Sequence, residues 1–145
     1  MSARPRVVVD TNVVLDLLLF HDTASLGLRS WLDGGAVHWV ACPAMRDELA
    51  HVLGRGSIRG LGTRWAESPA AVLLHWERHV AMVPSPPDCG LRCSDPDDQK
   101  FIDLAMAHAP CRLFTRDRAL LKLRRRAAEH GVPVHRPSDL SFALL

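Results

Sequence analysis

Val7, Val8 and Val9 follow one another and end on Asp10. Three successive β-branched residues disfavour helix and favour extended chain. A strand with no alternation of apolar and polar positions needs cover on both faces, as a central strand of a parallel sheet has and a half-exposed hairpin strand does not. A chain built on such a strand must supply helices for both sides of it.

The rest of the sequence supplies them in alternation. Leucine-rich Asn12 to Phe20 reads as a helix, Ala24–Leu32 as a second that stops at Gly34-Gly35, and Val37–Ala41 as the next strand. Pro43 stands where a first helical residue belongs and Gly54 just past a last one, with Met45, Leu49, Val52 and Leu53 as the apolar stripe between them. Gly54–Gly62 reads as a mobile loop, Pro69–His79 as a helix, Val80–Val83 as a strand and Pro84–Ser94 as a proline-rich loop. Asp95-Pro96 opens a helix running to about Ala109, Arg112–Thr115 is a strand, Asp117 starts a Leu- and Arg-rich helix, Val132–His135 is the last strand, and Pro137 opens a short final helix. Strands alternating with helices predict an α/β chain with a central, mostly parallel sheet covered on both faces. No repeat and no composition break divides the 145 residues, so 1–145 is expected to be one domain.

Composition removes some alternatives. At 48% hydrophobic residues the chain carries enough apolar surface for a packed core. The longest apolar run, Val13–Phe20, is interrupted by Asp16 and is too short for a bilayer. No signal-peptide pattern precedes Arg6, so a cytoplasmic protein with no membrane contact is expected. Cys42, Cys89, Cys93 and Cys111 match no strong zinc spacing and read as ordinary thiols, with a zinc site as the lesser reading. His75 and His79, four apart on a helix, have metal-binding spacing, but Trp76 and Glu77 between them complete no known motif, and exposed or core histidines are the plainer reading. The net charge of +2 says little, yet Arg112, Arg116, Arg118, Lys122, Arg124, Arg125 and Arg126 face only Asp117 in their stretch. Such a run is either a solvated helix face or a platform for phosphates.

Ligands of open parallel sheets bind beyond the carboxyl ends of the strands, which gives weight to the acids there. Asp10 ends the first strand, and Asp117 follows the strand 112–115, where Thr115 offers a hydroxyl. Glu48 sits at the edge of its helix's apolar stripe, whereas Asp47 points away. Asp98 shares a face with Phe101, Ile102, Ala105 and Ala109, so it points inward at the head of a packed helix, while Asp97 and Asp103 do not. Each acid also has a plain structural explanation: Asp10, Asp95 and Asp117 suit helix N-caps, Asp97 and Asp98 suit a first helical turn, and Glu48 suits a salt bridge. Taken together they predict carboxylates gathered at one rim, where they repel unless a cation lies among them. An all-oxygen ligand set suits Mg²⁺ or Mn²⁺ rather than zinc. Arg116 and Arg118 stand beside that rim as candidate phosphate ligands.

The sequence resembles the PIN-domain family. The resemblance rests on Val-Val-Val-Asp-Thr-Asn-Val at 7–13, Arg-Asp-Glu-Leu at 46–49, Asp-Pro-Asp-Asp-Gln-Lys-Phe-Ile-Asp-Leu-Ala at 95–105 and Leu-Phe-Thr-Arg-Asp at 113–117. It is similar to the VapC-like branch of ribonuclease toxins from bacterial toxin–antitoxin pairs. The resemblance implies a three-layer α/β/α sandwich with a parallel sheet. It also implies a Mg²⁺- or Mn²⁺-dependent ribonuclease whose metal-binding acids are Asp10, Glu48, Asp98 and Asp117, supported by Asn12 and Thr115. Many of the family carry an acid where this chain has Gln99, a position leaning off the inner face. RNA as substrate, a small antitoxin protein over the acidic rim and a homodimer follow from the same resemblance, with Leu17–Phe20 and Trp31 as either a docking surface or core. Asp16, one turn into the first helix, reads as exposed or salt-bridged.

Other chemistries fit less well. A haloacid-dehalogenase phosphatase needs a second aspartate two residues after the first, where this chain has Asn12. A receiver domain needs an acidic pair and a placed lysine, and a dinucleotide-binding domain needs its glycine fingerprint after the first strand. A non-catalytic RNA- or protein-binding module on the same fold, its acids serving as caps, is the remaining alternative.

Overall fold

The computed structural model describes residues 4–55 and 68–139. Strands β1 (Arg6–Val9), β2 (His38–Ala41), β3 (Ala81–Met82), β4 (Cys111–Phe114) and β5 (Val134–His135) form one sheet in the order β3-β2-β1-β4-β5. Every pairing is parallel, with Val7 opposite Trp39 on one side and Arg112 on the other. Val7 and Val8 are wholly buried, as a central strand requires.

Among the described residues the α-helices are α1 (Thr11–Leu18), α2 (Leu26–Asp33), α3 (Pro43–Leu53), α4 (Pro69–His79), α5 (Gln99–Ala107), α6 (Arg118–Leu121) and α7 (Arg124–Glu129). The chain steps from β1 through β2 to β3 on one side, then returns past β1 to β4 and β5 on the other. Right-handed crossovers therefore put α1–α4 on one face and α5–α7 on the other, giving three α/β/α layers. α5 lies on β1 and β4, with Phe101, Ile102, Leu104 and Ala105 buried against them. The direction of winding reverses between β1 and β4, and their carboxyl ends open a crevice where the two halves diverge. Asp10 follows β1 and Thr115 follows β4 at that crevice.

Tertiary contacts revise several sequence boundaries. The helix expected from Asp95 to Ala109 begins as a 3₁₀ turn, Pro96–Asp98, and ends at Ala107. The helix after Asp117 is two pieces, α6 and α7, separated by a turn at Lys122-Leu123; Leu120, Leu123 and Ala127 are buried while Lys122 and Arg124–Arg126 stay exposed. The final helix opened by Pro137 is, among the described residues, a 3₁₀ turn, Pro137–Asp139. The loop expected at Gly54–Gly62 lies outside the described residues from 56 onward.

α1 is buried nearly all round, with α2 and α3 packed against it. Leu17, Leu18 and Leu19 are therefore core and cannot form the docking surface considered above; Phe20, at 40% exposed, is the member left at the surface. Trp31 packs edge-on against Phe114, ring centroids 6.2 Å apart. All four cysteines are free. No helix among the described residues is long and apolar enough to cross a membrane.

Candidate metal centre

Asp10 is both a cap and a buried acid. Its backbone is extended, and its Oδ1 accepts from the Val13 amide at 3.0 Å, closing the first turn of α1. Its Oδ2 accepts from the Thr115 hydroxyl across the crevice. Thr115, fully buried, accepts in turn from the Asp117 amide at 3.0 Å. One threonine thus ties the end of β1 to the end of β4. Asp117 caps α6 through the Ala119 amide at 2.8 Å.

Asp95 caps the 3₁₀ turn through the Asp97 amide at 3.0 Å, and the turn carries Asp98 to the crevice. One oxygen each from Asp95, Asp98 and Asp117 lies within 4.8 Å of the other two. Of the four acids predicted from the sequence, Asp98 and Asp117 fall in this cluster, and Asp10 lies close enough that its charge acts on Asp98. Asp95 is the member that side-chain direction did not single out. Its cap position was legible, but only the tight 3₁₀ turn brings it onto the carboxylates three and twenty-two residues away.

Electrostatics show the strain of this gathering. Burial pushes Asp10 up to about 6, against the lowering effect of the Thr115 hydroxyl and the Val13 amide, with Asp117 adding repulsion and Arg116 relieving it. Asp98 is pushed up to about 7 by burial, by a hydrogen bond to Asp117 that requires a proton between them, and by the charges of Asp117, Asp95 and Asp10. Oδ2 of Asp98 is buried with no hydrogen-bond partner. A proton or a cation is what such a group lacks. The donors are all carboxylate oxygens, and their mutual repulsion falls if a divalent ion sits among them. The residues present therefore fit a hard divalent cation.

Glu48 stands apart from the three-carboxylate cluster. It is ion-paired with Lys100 of α5, whose ammonium also donates to the Asp97 carbonyl. The pair links α3 to the head of α5 and explains how a half-buried glutamate is accommodated. Lys100 carried no signal in the sequence, because a lysine next to a cap reads as solvated until a helix from elsewhere approaches it.

Asp16 is buried at 8% exposure and salt-bridged, gripping Arg116 through Nε at 2.7 Å and Nη2 at 3.2 Å. Burial raises its pKa and Arg116 lowers it. Half of the Arg116 side chain remains exposed, and Arg118 and Asn12 are exposed as well. Gln99 points away from the rim. Its Oε1 accepts from the Cys93 amide at 2.8 Å, and its Nε2 donates to the Leu91 carbonyl at 2.7 Å and to Asp103 at 2.9 Å. Asp103 also accepts from the Cys89 amide at 3.1 Å. Gln99 and Asp103 thus fasten the loop before the 3₁₀ turn to α5, which gives the Gln99 amide a structural task.

The comparisons with known proteins agree with this architecture. The PIN domain family profile matches residues 6–119, from β1 into the helix capped by Asp117. A similar solved structure is the crystal structure of VapBC2 from Rickettsia felis bound to a DNA fragment from their promoter. It aligns with a TM-score of 0.62 at 12% sequence identity, covering 90% of this chain and 97% of that one. No curated protein matches the chain in sequence. The structural likeness is one of fold, and the sequence match spans the segments that supply Asp10, Glu48, Asp98 and Asp117; this chain belongs to the PIN domain family.

Proposed function

We propose that the protein is a Mg²⁺- or Mn²⁺-dependent endoribonuclease, the toxin of a toxin–antitoxin pair. The observation that carries the proposal is the convergence of Asp95, Asp98 and Asp117 beside buried Asp10 at the switch point of a PIN-family sheet. Asp10, Asp98 and Asp117 would hold the ion, and Asp95 completes the acidic rim. The chemistry a divalent ion would supply there is a water of lowered pKa and neutralisation of charge building on a phosphoryl oxygen. Glu48, held by Lys100, orients the attacking water from the α3 side. Thr115 fixes the Asp10 carboxylate and the Asp117 backbone relative to each other, so the two halves of the site do not drift. Exposed Arg118 and the solvent face of Arg116 bind the polyanion. Asn12 lies on the exposed side of the first turn of α1, as polar support at the mouth.

The fold shared with VapBC2 supports a small antitoxin as partner; in this reading the antitoxin covers the rim and offers an arginine to the carboxylates. The protein acts in the cytoplasm, where its RNA is, and pairing of two copies is part of the same proposal. The non-catalytic alternative has one observation in its favour: Asp10, Asp95 and Asp117 all serve as helix caps whether or not a metal binds.

The test is cleavage of labelled single-stranded and structured RNAs with Mg²⁺ or Mn²⁺, with and without chelator, by wild type, Asp10→Asn and Asp117→Asn. Metal-dependent cutting that falls by roughly 100-fold or more in folded variants supports the nuclease. Equal cutting by all three refutes the assigned centre, and metal-independent RNA binding without cutting selects the binding module.

A further inference from the structure

At the opposite end of the sheet, two helix ends bring three metal-ligand side chains together. Asp33 is the last residue of α2, and His75 and His79 lie one turn apart at the end of α4. One donor atom from each lies within 4.8 Å of the other two. Nε2 of His75 is 3.0 Å, and Nε2 of His79 3.9 Å, from Oδ1 of Asp33. A tetrahedral zinc-type ion with bonds of about 2.1 Å spaces its ligands about 3.4 Å apart, midway between those distances. We propose that Asp33, His75 and His79 form a transition-metal site, for Zn²⁺ or an ion of like chemistry, distinct from the acidic rim.

Three further features favour a borderline cation here. The donors are two imidazole nitrogens and one carboxylate, a set that suits zinc, cobalt or nickel and not the hard ion of an all-oxygen site. Nδ1–H of His79 donates to the His75 carbonyl at 2.8 Å, and this fixes the tautomer that leaves the Nε2 lone pair facing Asp33. Finally, α2 and α4 both terminate at the site, and their last carbonyls carry partial negative charge that favours a cation. Arg29 donates to Oδ2 of Asp33 at 3.4 Å, which orients the carboxylate while leaving Oδ1 to the histidines.

Binding requires a small rearrangement. Nε2–H of His75 now donates to Oδ1, so its proton passes to Nδ1 or to solvent when Nε2 turns to a metal. The two rings are stacked, centroids 4.3 Å apart and planes 15° apart, and must splay for both lone pairs to converge. That motion uses χ2, a broad torsion. All three side chains keep 21–32% exposure, which gives an ion access without dismantling the core. α2 and α4 end just ahead of β2 and β3, so the site lies at the amino ends of the strands, away from the rim, and an ion there fastens α4 to α2.

The experiment is a Co²⁺ titration of the untagged chain, followed by visible ligand-field absorption, with Zn²⁺ competition and thermal unfolding alongside. One equivalent should give a low-symmetry cobalt spectrum that Zn²⁺ bleaches and excess Mg²⁺ does not. Near-ultraviolet thiolate charge-transfer absorption should be absent, which excludes the cysteines. Asp33→Asn and His79→Ala should weaken affinity by at least roughly 100-fold, the upper end of what loss of a mere supporting hydrogen bond costs. His79→Gln gives a second variant that keeps a polar side chain at the helix end. Asp117→Asn should leave the spectrum unchanged, separating this site from the proposed nuclease centre. Zn²⁺ should raise the Tm of wild type and Asp117→Asn, but not of the His79 variants. No ligand-field spectrum in wild type, or one retained in the folded His79 variants, overturns the proposal.

Discussion

Replacing Asp10 with asparagine should stabilise the metal-free protein at neutral pH, although it removes a central residue of the proposed site. Asp10 is 2% exposed, and its pKa rises from 3.8 to about 6 in the fold. The folded state therefore binds this proton more tightly than the unfolded chain. The stabilisation from the neutral acid is complete below about 4 and is lost as pH rises through about 6. The shift corresponds to about 3 kcal/mol against the folded state once Asp10 is ionised. Asparagine stays neutral and caps a helix as well as aspartate, so the bond from the Val13 amide survives. The amide pairs less well with the Thr115 hydroxyl, which also accepts from Asp117, and about 1 kcal/mol is lost there. The net gain is about 2 kcal/mol, or roughly 4–8 °C in Tm for a domain of this size. The assay is urea and thermal unfolding in chelator at pH 5 and pH 8. Asp10→Asn should exceed wild type at pH 8, fall towards it at pH 5, and lose the advantage when Mg²⁺ or Mn²⁺ is added. A variant that is less stable than wild type at pH 8 in chelator, or a difference independent of pH, refutes the argument that the carboxylates at the rim are held in electrostatic tension.

Thr115→Val keeps the shape but leaves the Asp117 amide without its acceptor and Asp10 without a donor. It should cost about 1–3 kcal/mol in urea unfolding and move the pH-dependent loss of stability upward, because a lowering influence on Asp10 is gone. Gln99→Glu replaces two donated hydrogen bonds with a carboxylate facing the Leu91 carbonyl and Asp103, and should destabilise by about 2–3 kcal/mol at pH 8 without tightening metal binding in a Mn²⁺ titration. Lys100→Met removes the partner of half-buried Glu48, at a cost of about 1 kcal/mol in the same unfolding assay.

The local chemistry of the chain determines much of the architecture without reference to distant contacts. The unbroken Val7–Val9 strand demands two covering layers, and the proline and glycine around α3 mark both of its ends. Asp10 and Asp117 are caps placed directly after strands, so their arrival at one rim follows once the strands are parallel. Periodicity turns Asp98 inward because it shares a face with Phe101, Ile102 and Ala105. These signals are legible because capping, helical periodicity and strand character depend on residues within a few positions of one another.

What lay outside that reach depends on pairs distant in sequence. Glu48 meets Lys100 only when α5 crosses near α3, and buried Asp16 is accommodated only because Arg116, a hundred residues on, reaches it. Gln99 owes its role to a loop folded back on its own helix. His75 and His79 showed their spacing in the sequence, but their third partner, Asp33, comes from the end of another helix. Burial and charge pairing between distant segments are properties of the packed chain, and they decide which polar side chains are supports and which are left to bind.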